Sequence, residues 1–321
     1  KQILGTTFTW MFQNCSALTS LPSEIGLSYS PSIDFSTHTS HFTQMFQSAP
    51  IANFPRFPNI TTIGKNGMYR IAQATVGTPN TNLTYVDLSN ITTLYEGALY
   101  QAFQYASNLE VVKIGISAWP NMVDSSASDY NATYQWLNDV SSTGVFCRNG
   151  NLPVTRDASH IPQNWSIADL NGKLNKPVIY DDPDGSILID EDGEGSSCQI
   201  YYTTNGTTPT PSTGTLYTQE FRVADGTTIK AIAHYAGTRS DLITDSDVAE
   251  FVYVDCSDCN NWGECGYPSY EDCDCQVNGV CDEPVDCSDC SNWEECGYPS
   301  YEDCDCDVNG NCPEEEEEPE E

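Results

Sequence analysis

Apolar and polar positions in the first 114 residues follow a pattern that is written more than once. Residues 9–22, 43–55 and 100–114 each predict a short helical turn around an aromatic residue, then a small residue, then an apolar strand. A degenerate fourth copy starts at Tyr69. The central aromatic residues are Phe12, Phe46 and Phe103. Offsets of about 25 to 34 residues predict stacked units, each burying its apolar face against its neighbours because one unit has no core of its own.

A different pattern starts near Lys176 and runs to about Val254. Short segments rich in β-branched and aromatic residues alternate apolar and polar positions, with Gly, Asn or Pro between them. This alternation is typical of half-buried β-strands joined by tight turns. The stretch therefore predicts a β-sandwich.

A cysteine-rich, acidic unit occurs twice between Asp255 and Cys312. Six cysteines recur after a shift of 31 residues; the twelve are Cys256, Cys259, Cys265, Cys273, Cys275, Cys281, Cys287, Cys290, Cys296, Cys304, Cys306 and Cys312. Units this small bury too little apolar surface to fold without staples. We expect disulfides, three in each unit, with the pairing open among fifteen arrangements. The alternative is zinc or another soft metal on the pairs Cys256/Cys259 and Cys287/Cys290.

The charge distribution narrows the classes of partner. The formal net charge is −34, and all 12 Lys and Arg residues precede residue 240, while 23 of the 46 acidic residues lie from Asp255 to Glu321. Such a surface excludes binding to nucleic acid, since no basic patch releases phosphate counterions. Residues 313–321 form an acidic tail expected to be disordered. No apolar run is long enough for membrane insertion.

The first repeat resembles the leucine-rich repeats of BspA-like bacterial surface proteins. The matching residues of the M-F-x-x-C-x-x-L-x-x-L pattern are Met11, Phe12, Cys15, Leu18 and Leu21. Residues 134–167 are similar to the ends of such repeat domains in proteins of gut Bacteroidetes and their phages. That match rests on Trp136, Leu137, Val140, Gly144, Phe146, Ile161, Pro162 and Trp165. The resemblance implies a solenoid closed by an aromatic cap.

Residues 176–254 resemble the C-terminal module of chitobiase and β-hexosaminidase, a fibronectin-like accessory sandwich. The residues that carry the match are Tyr201, Tyr202, Thr203, Asn205, Gly206, Pro209, Tyr217, Lys230, Ala231 and Ala233. Catalysis in those enzymes belongs to a barrel domain that this sequence does not contain. Cys198 lies inside the module and is expected to be a buried free thiol.

Candidate metal ligands are few. Asp305, Asp307 and Asn309 repeat the opening of a calcium loop, and Glu316 falls at its twelfth position. The alternative, which we favour, is a plain Asn-Gly turn. His38 and His41 are three residues apart but have no third ligand nearby, which favours solvated loop histidines.

No familiar catalytic motif occurs in the sequence. The carboxylates Asp181, Asp182, Asp190, Glu191 and Asp192 lie in turn-like contexts of the predicted sandwich. We therefore expect structural roles for them, no enzymatic activity and no cofactor apart from the calcium alternative.

Together these patterns predict a mostly β, modular chain. The expected parts are a leucine-rich-repeat-like solenoid (1–170), a fibronectin-like β-sandwich (176–254), two disulfide-rich repeats (255–281 and 286–312) and the acidic tail (313–321). Paired cysteines favour an extracellular, cell-surface or virion location. The expected function is that of an adhesin, or of a phage virion surface or tail-fibre component, that binds glycan or protein. The alternatives are an accessory fragment of a secreted glycan-active enzyme and a metal-binding surface protein.

Overall fold

A computed structural model describes residues 8–25, 39–120, 132–182, 185–191, 195–257, 259–261 and 263–265. The described residues up to Tyr253 belong to one compact unit, and those from Val254 belong to a second. Their regular elements are strands and two 3-10 helices, Ser240–Leu242 and Cys259–Asn261, so the prediction of a mostly β chain is confirmed. None of the described helices is long and apolar enough to span a membrane.

Twelve strands follow one another along the first unit. They are β1 (Thr62–Ile63), β2 (Tyr85–Leu88), β3 (Thr93–Leu94), β4 (Val111–Ile114), β5 (Val145–Arg148), β6 (Ser166–Asp169), β7 (Val178–Asp181), β8 (Ile187–Asp190), β9 (Gln199–Thr203), β10 (Thr215–Leu216), β11 (Thr228–His234) and β12 (Ala249–Val252).

A parallel four-stranded sheet, in the order β2-β4-β5-β6, is built from strands of successive units. Its register aligns Val86, Val112, Phe146 and Ile167, and these side chains enter the main apolar core. The alternate residues Val111, Val145, Cys147 and Ala168 point the other way and are buried in a second cluster. Burial of both faces explains why adjacent residues at the start of β4 and β5, Val111 with Val112 and Val145 with Phe146, are both apolar instead of alternating with polar residues.

The other side of each unit is a run of tight turns. From Phe42 to Ser48, every second amide donates to the next unit, as Phe42 N–H does to the Gly67 carbonyl at 2.7 Å. The intervening N–H groups donate to the carbonyl three residues earlier in the same unit, as Met45 N–H does to the Phe42 carbonyl at 3.1 Å. The expected helical turns are therefore wrong, because amides engaged with the next unit are not available for helical bonds. The apolar strands expected within residues 9–22 and 43–55 are also wrong, since of the three expected strands only the one within residues 100–114 is formed, as β4.

These turns require left-handed backbone at residues other than glycine. Gln44, Arg70 and Gln101 have φ values of 53°, 50° and 50°, and eleven non-glycine residues in the described part share this conformation. A side chain in that region is disfavoured by roughly 1–2 kcal/mol. The hydrogen bonds from backbone N–H groups to the next unit compensate for this cost.

The three recurring phenylalanines lie inside the stack. Phe46 and Phe103 are fully buried, and the half-buried Phe12 stacks on Phe46 with ring centroids 5.7 Å apart. Phe54 places its edge against Phe103 at 5.0 Å. The expectation that these rings pack between neighbouring units agrees with their positions.

The expected aromatic cap contributes two tryptophans to the buried core beside β5 and β6. Trp136 and Trp165 are fully buried, and their indole N–H groups donate to the carbonyls of His160 and Ser141 at 2.8 and 2.9 Å. A Cβ atom at Gly144 would lie 2.4 Å from the Glu110 carbonyl oxygen and 2.7 Å from the Trp165 ring. Only glycine allows this close approach of backbone and indole.

The segment from β7 to β12 forms two antiparallel sheets, the hairpin β7-β8 and the four strands β10-β9-β11-β12. Ile187 and Ile189 of β8 pack against Ile200, Ile229 and Ala231 of the larger sheet. This arrangement is a small β-sandwich with an apolar core of its own, as its alternating sequence predicts.

The sandwich packs against the outer face of the parallel sheet. Ala233 and Tyr235 share a buried cluster with Val111 and Val145. One oxygen of Glu110 accepts from the Tyr235 hydroxyl at 2.9 Å and from the Thr238 amide and hydroxyl at 2.9 and 3.0 Å. Burial, and secondarily this carboxylate, raises the pKa of the Tyr235 hydroxyl well above its ordinary value. The solenoid-like part and the sandwich are thus joined by both apolar and polar contacts.

Truncation of Phe46 tests the stacked core. Phe46→Ala removes a fully buried ring, and we expect the free energy of unfolding to fall by about 3–5 kcal/mol. Thermal and urea unfolding followed by circular dichroism would measure this change. The control Thr61→Ala, at an exposed position, should stay within about 0.5 kcal/mol of the parent. Equal stability of the two variants would contradict the assigned repeat register.

Truncation of Glu110 tests the junction. Glu110→Ala leaves the buried Tyr235 hydroxyl without this acceptor, and we expect a loss of about 1–3 kcal/mol in urea unfolding. Glu220→Ala, at an exposed position of the sandwich, is the matched control and should be near neutral. A Glu110 variant as stable as this control would show that the junction does not depend on the carboxylate.

Candidate functional site

Three tyrosines from successive units form a column, which we call the tyrosine column: Tyr69, Tyr100 and Tyr134. The ring centroids are 5.0 Å apart between Tyr69 and Tyr100, and 5.3 Å apart between Tyr100 and Tyr134. All three side chains are half-buried. The rings of Tyr69 and Tyr100 are stacked face to face at an interplanar angle of 14°.

A cation lies against this column. The Arg70 guanidinium is 4.9 Å from the centre of the Tyr69 ring and 5.9 Å from that of Tyr100. Its Nε also donates to the Gln101 side chain at 2.8 Å. The cation–π contacts and the hydrogen bond hold the guanidinium in one orientation on the surface of the turns.

Beside the column runs a chain of amide hydrogen bonds, the glutamine ladder: Gln13, Gln47, Gln73, Gln101, Gln104 and Gln135. Gln47 donates to Gln73 at 2.8 Å, Gln73 to Gln104 at 2.8 Å, and Gln101 to Gln135 at 2.7 Å. Gln73 and Gln104 are buried. Each amide thus satisfies the next, so the ladder aligns the units and orders the surface around the tyrosines.

A cleft of about 410 Å³ opens at the capped end of the stack. Two segments line it, residues 137–142 and residues 157–164, and its polar side chains are Asn138, Asp139, Ser141, Ser142, Asp157, His160, Gln163 and Asn164. Apolar side chains of Leu137, Val140, Ala158 and Pro162 complete the lining. A concave site with a few convergent polar groups is the usual form of a small-molecule site.

Several of the polar groups in the cleft are held in place. One oxygen of Asp157 accepts from the Ser159 amide at 2.7 Å and pairs with His160 Nδ1 at 2.6 Å. The Trp119 ring meets the His160 ring edge-on at 4.6 Å. Asn138 donates to Asp139 at 2.7 Å. These contacts orient the carboxylates of Asp139 and Asp157.

The carboxylates singled out in the sequence are dispersed over the sandwich. Asp181, Asp182 and Asp190 are exposed, and Asp190 accepts from the Tyr180 hydroxyl at 2.6 Å, which raises the pKa of Tyr180 to about 12. Burial raises the pKa of Glu191, which accepts from the Cys198 amide at 2.9 Å. These contacts fit the expected structural roles; Asp192 lies outside the described residues.

The candidate metal ligands are only partly described. His41 is buried beside Phe42 with ring centroids 6.2 Å apart, which corrects its expected place in a solvated loop, while His38 lies outside the described residues. The calcium candidates Asp305, Asp307, Asn309 and Glu316 also lie outside them. In the part of the chain that the structure describes, no three His, Cys, Asp or Glu side chains gather as a metal site.

One cysteine pair of the repeats is described. Cys256 and Cys265 form a disulfide, which agrees with the expectation that these cysteines are bridged and supplies a pairing that the sequence left open. The other bridges stay a prediction. Within the described part of the chain, three cysteines are free: Cys15 is exposed, Cys147 is buried, and Cys198 is half-buried rather than buried as expected.

The tyrosine column and the cleft were not predicted from the sequence. The ladder did leave a signal, because Gln13, Gln47, Gln73 and Gln104 follow the same apolar position in their repeats. The cleft left no comparable pattern, since its two lining segments belong to different parts of the chain.

One family model matches the chain: the chitobiase/β-hexosaminidase C-terminal domain, over residues 189–244. The match supports the sequence-based assignment of the sandwich. That domain is a non-catalytic, C-terminal part of hexosaminidases, which is compatible with a chain that is not an enzyme. No curated protein and no solved structure matches the chain.

Thiol labelling tests the description of the cysteines. Burial raises the pKa of Cys147 to about 12, and burial followed by the Glu191 charge raises that of Cys198. Because the thiolate is the reactive species, N-ethylmaleimide at pH 8 should label the exposed Cys15 and spare Cys147.

Mass mapping under non-reducing conditions provides the readout, and the same reaction in guanidinium should label both thiols. The map should also contain a peptide linked through Cys256 and Cys265. Rapid native labelling of Cys147 would contradict its burial.

Proposed function

We propose that this chain is a non-catalytic extracellular binding protein whose tyrosine column engages an extended glycan. The observation that carries the proposal is the regular repeat of one aromatic side chain at 5.0 and 5.3 Å along the stack. A polymer with a similar repeat meets equivalent groups at each unit, so weak contacts add along its length.

The spacing and the chemistry of the surface both favour a glycan. One pyranose in an extended β-linked polysaccharide has a length comparable with the distance between neighbouring tyrosines. The tyrosine hydroxyls and the Arg70 guanidinium supply hydrogen-bond donors for sugar oxygens. Rigid aromatic side chains lose little conformational entropy on binding, and the ladder keeps them in register.

At the family level, we propose that the stacked units are leucine-rich repeats of the BspA-like type. Their parallel strands, their buried phenylalanines and their aromatic cap support that assignment. The sandwich would then act as a rigid spacer, since it is joined to the stack through Glu110. We propose that the whole protein is an adhesin of a bacterial surface, or a surface or tail-fibre component of a phage virion.

A second candidate is an accessory fragment of a secreted glycan-active enzyme. The match of residues 189–244 to a domain of β-hexosaminidases favours it. Both candidates assign binding, not catalysis, to the residues described, and they differ in what the rest of the protein does.

Replacement of Tyr100 tests the column. The purified chain is titrated against chitin, cellulose, xylan, mannan and mucin, and we expect saturable binding to at least one of them. Tyr100→Ala removes the central ring and should weaken that binding about tenfold or more. Arg70→Ala should also weaken it, because the guanidinium lies against the same rings.

Tyr95→Ala is the matched control, since Tyr95 is an exposed tyrosine outside the column. Melting temperatures of all variants separate lost binding from lost folding. Wild-type affinity in both column variants would contradict the proposed surface. Release of reducing sugar from a polysaccharide by the purified chain would contradict the non-catalytic assignment.

A further inference from the structure

We infer that the cleft at the capped end of the stack binds a single neutral sugar residue, the terminal pyranose of a glycan. The inference rests on the proposed function in that it assumes a glycan-binding chain. It uses different residues, because the cleft is formed by segments 137–142 and 157–164 and not by the tyrosine column.

The size of the cleft fits such a ligand. Its volume is about 410 Å³. Small-molecule sites in proteins span roughly 300–1,000 Å³, so this cleft lies at the small end of the range. One pyranose ring with its substituents fits there, whereas a folded peptide does not.

The polar lining matches the vicinal hydroxyls of a sugar. Asp139 and Asp157 supply carboxylate oxygens, which are strong acceptors for hydroxyl donors. Asn164 and Gln163 supply amides that both donate and accept, as neighbouring sugar hydroxyls require. A set that mixes acceptors and amides in this way suits a polyol better than it suits a hydrocarbon.

The charge of the lining selects a neutral sugar. Two carboxylates face the cleft against one histidine, and that histidine is already paired with Asp157 at 2.6 Å. A sugar carrying a phosphate or a carboxylate would meet like charge and bind poorly. The described residues do not gather three ligands for a metal ion that could reverse this effect.

Buried indoles hold both walls of the cleft. Trp136 donates to the His160 carbonyl at 2.8 Å, and Trp165 donates to the Ser141 carbonyl at 2.9 Å. The two lining segments are thus anchored to the aromatic cap, and little ordering remains to be done on binding. The same indoles report on the cleft, because a ligand beside His160 changes their surroundings.

The cleft continues the stack that carries the tyrosine column. The main-chain N–H of Gln135, the residue after Tyr134, donates to the carbonyl of Ala158 at 2.9 Å, and Ala158 lines the cleft. The end of a chain that follows the column therefore has a site near Tyr134. This placement favours a terminal residue over an internal one.

The test uses the whole chain and four neutral probes: the methyl glycosides of glucose, galactose, mannose and N-acetylglucosamine. Tryptophan fluorescence and calorimetric titration should give saturable binding of at least one glycoside. Asp139→Asn keeps the size of the side chain and tolerates the left-handed φ of 56° at this position. This variant should raise the dissociation constant of the bound glycoside about tenfold or more.

Asp181→Asn is the control, since Asp181 is an exposed carboxylate on β7 of the sandwich. It should bind as the parent does. No saturable binding of any of the four glycosides would overturn the inference, as would equal affinity in Asp139→Asn. N-acetylneuraminic acid is titrated in parallel, and binding of this anion without binding of any neutral glycoside would overturn the choice of a neutral ligand.

The polysaccharide titration of the previous section separates the two proposals. Polysaccharide binding that is sensitive to Tyr100→Ala, without any binding of the glycosides, would support the tyrosine column as a binding surface and contradict sugar binding in the cleft. Glycoside binding that depends on Asp139, without any effect of Tyr100→Ala on polysaccharide binding, would support the cleft and contradict the role of the column.

Discussion

Burial of the parallel sheet on both faces is the constraint on which the rest of the first unit depends. Val112 and Phe146 face the core of the stack, while Val111 and Val145 face the sandwich. A change of register by one residue would exchange the two sets of side chains. The same register therefore keeps the core filled and the sandwich attached, and it brings Glu110 to the Tyr235 hydroxyl.

On the opposite side of the units, backbone hydrogen bonds between units set the register of the turns. Alternate amides bond to the next unit, so equivalent side chains of successive units lie above one another. Polar side chains then form the glutamine ladder, and tyrosines form the column. Both surfaces follow from a single backbone arrangement, and the aromatic cap that ends it also supports the walls of the cleft.

The fold was predictable where it depends on local pattern. The buried central phenylalanines, the sandwich and the presence of a disulfide in the first cysteine repeat agree with expectations drawn from repeats, alternation and cysteine number, whereas the pairing of Cys256 with Cys265 was not predicted. The helical turns were wrong, because a motif such as M-F-Q-x does not reveal that alternate amides bond to a neighbouring unit. Cys198 was expected to be buried but is half-buried at the edge of the junction.

The sequence by itself determined that the chain is mostly β, which stretch forms a sandwich, and where the cysteines and the negative charge lie. Those properties depend on residue type and short spacing. Tertiary structure decided which side chains meet: Glu110 and Tyr235 are 125 residues apart in the chain, and the cleft joins two separate segments. The reason is physical, since burial and hydrogen-bond pairing between distant segments depend on register in space and leave no periodic trace in the chain.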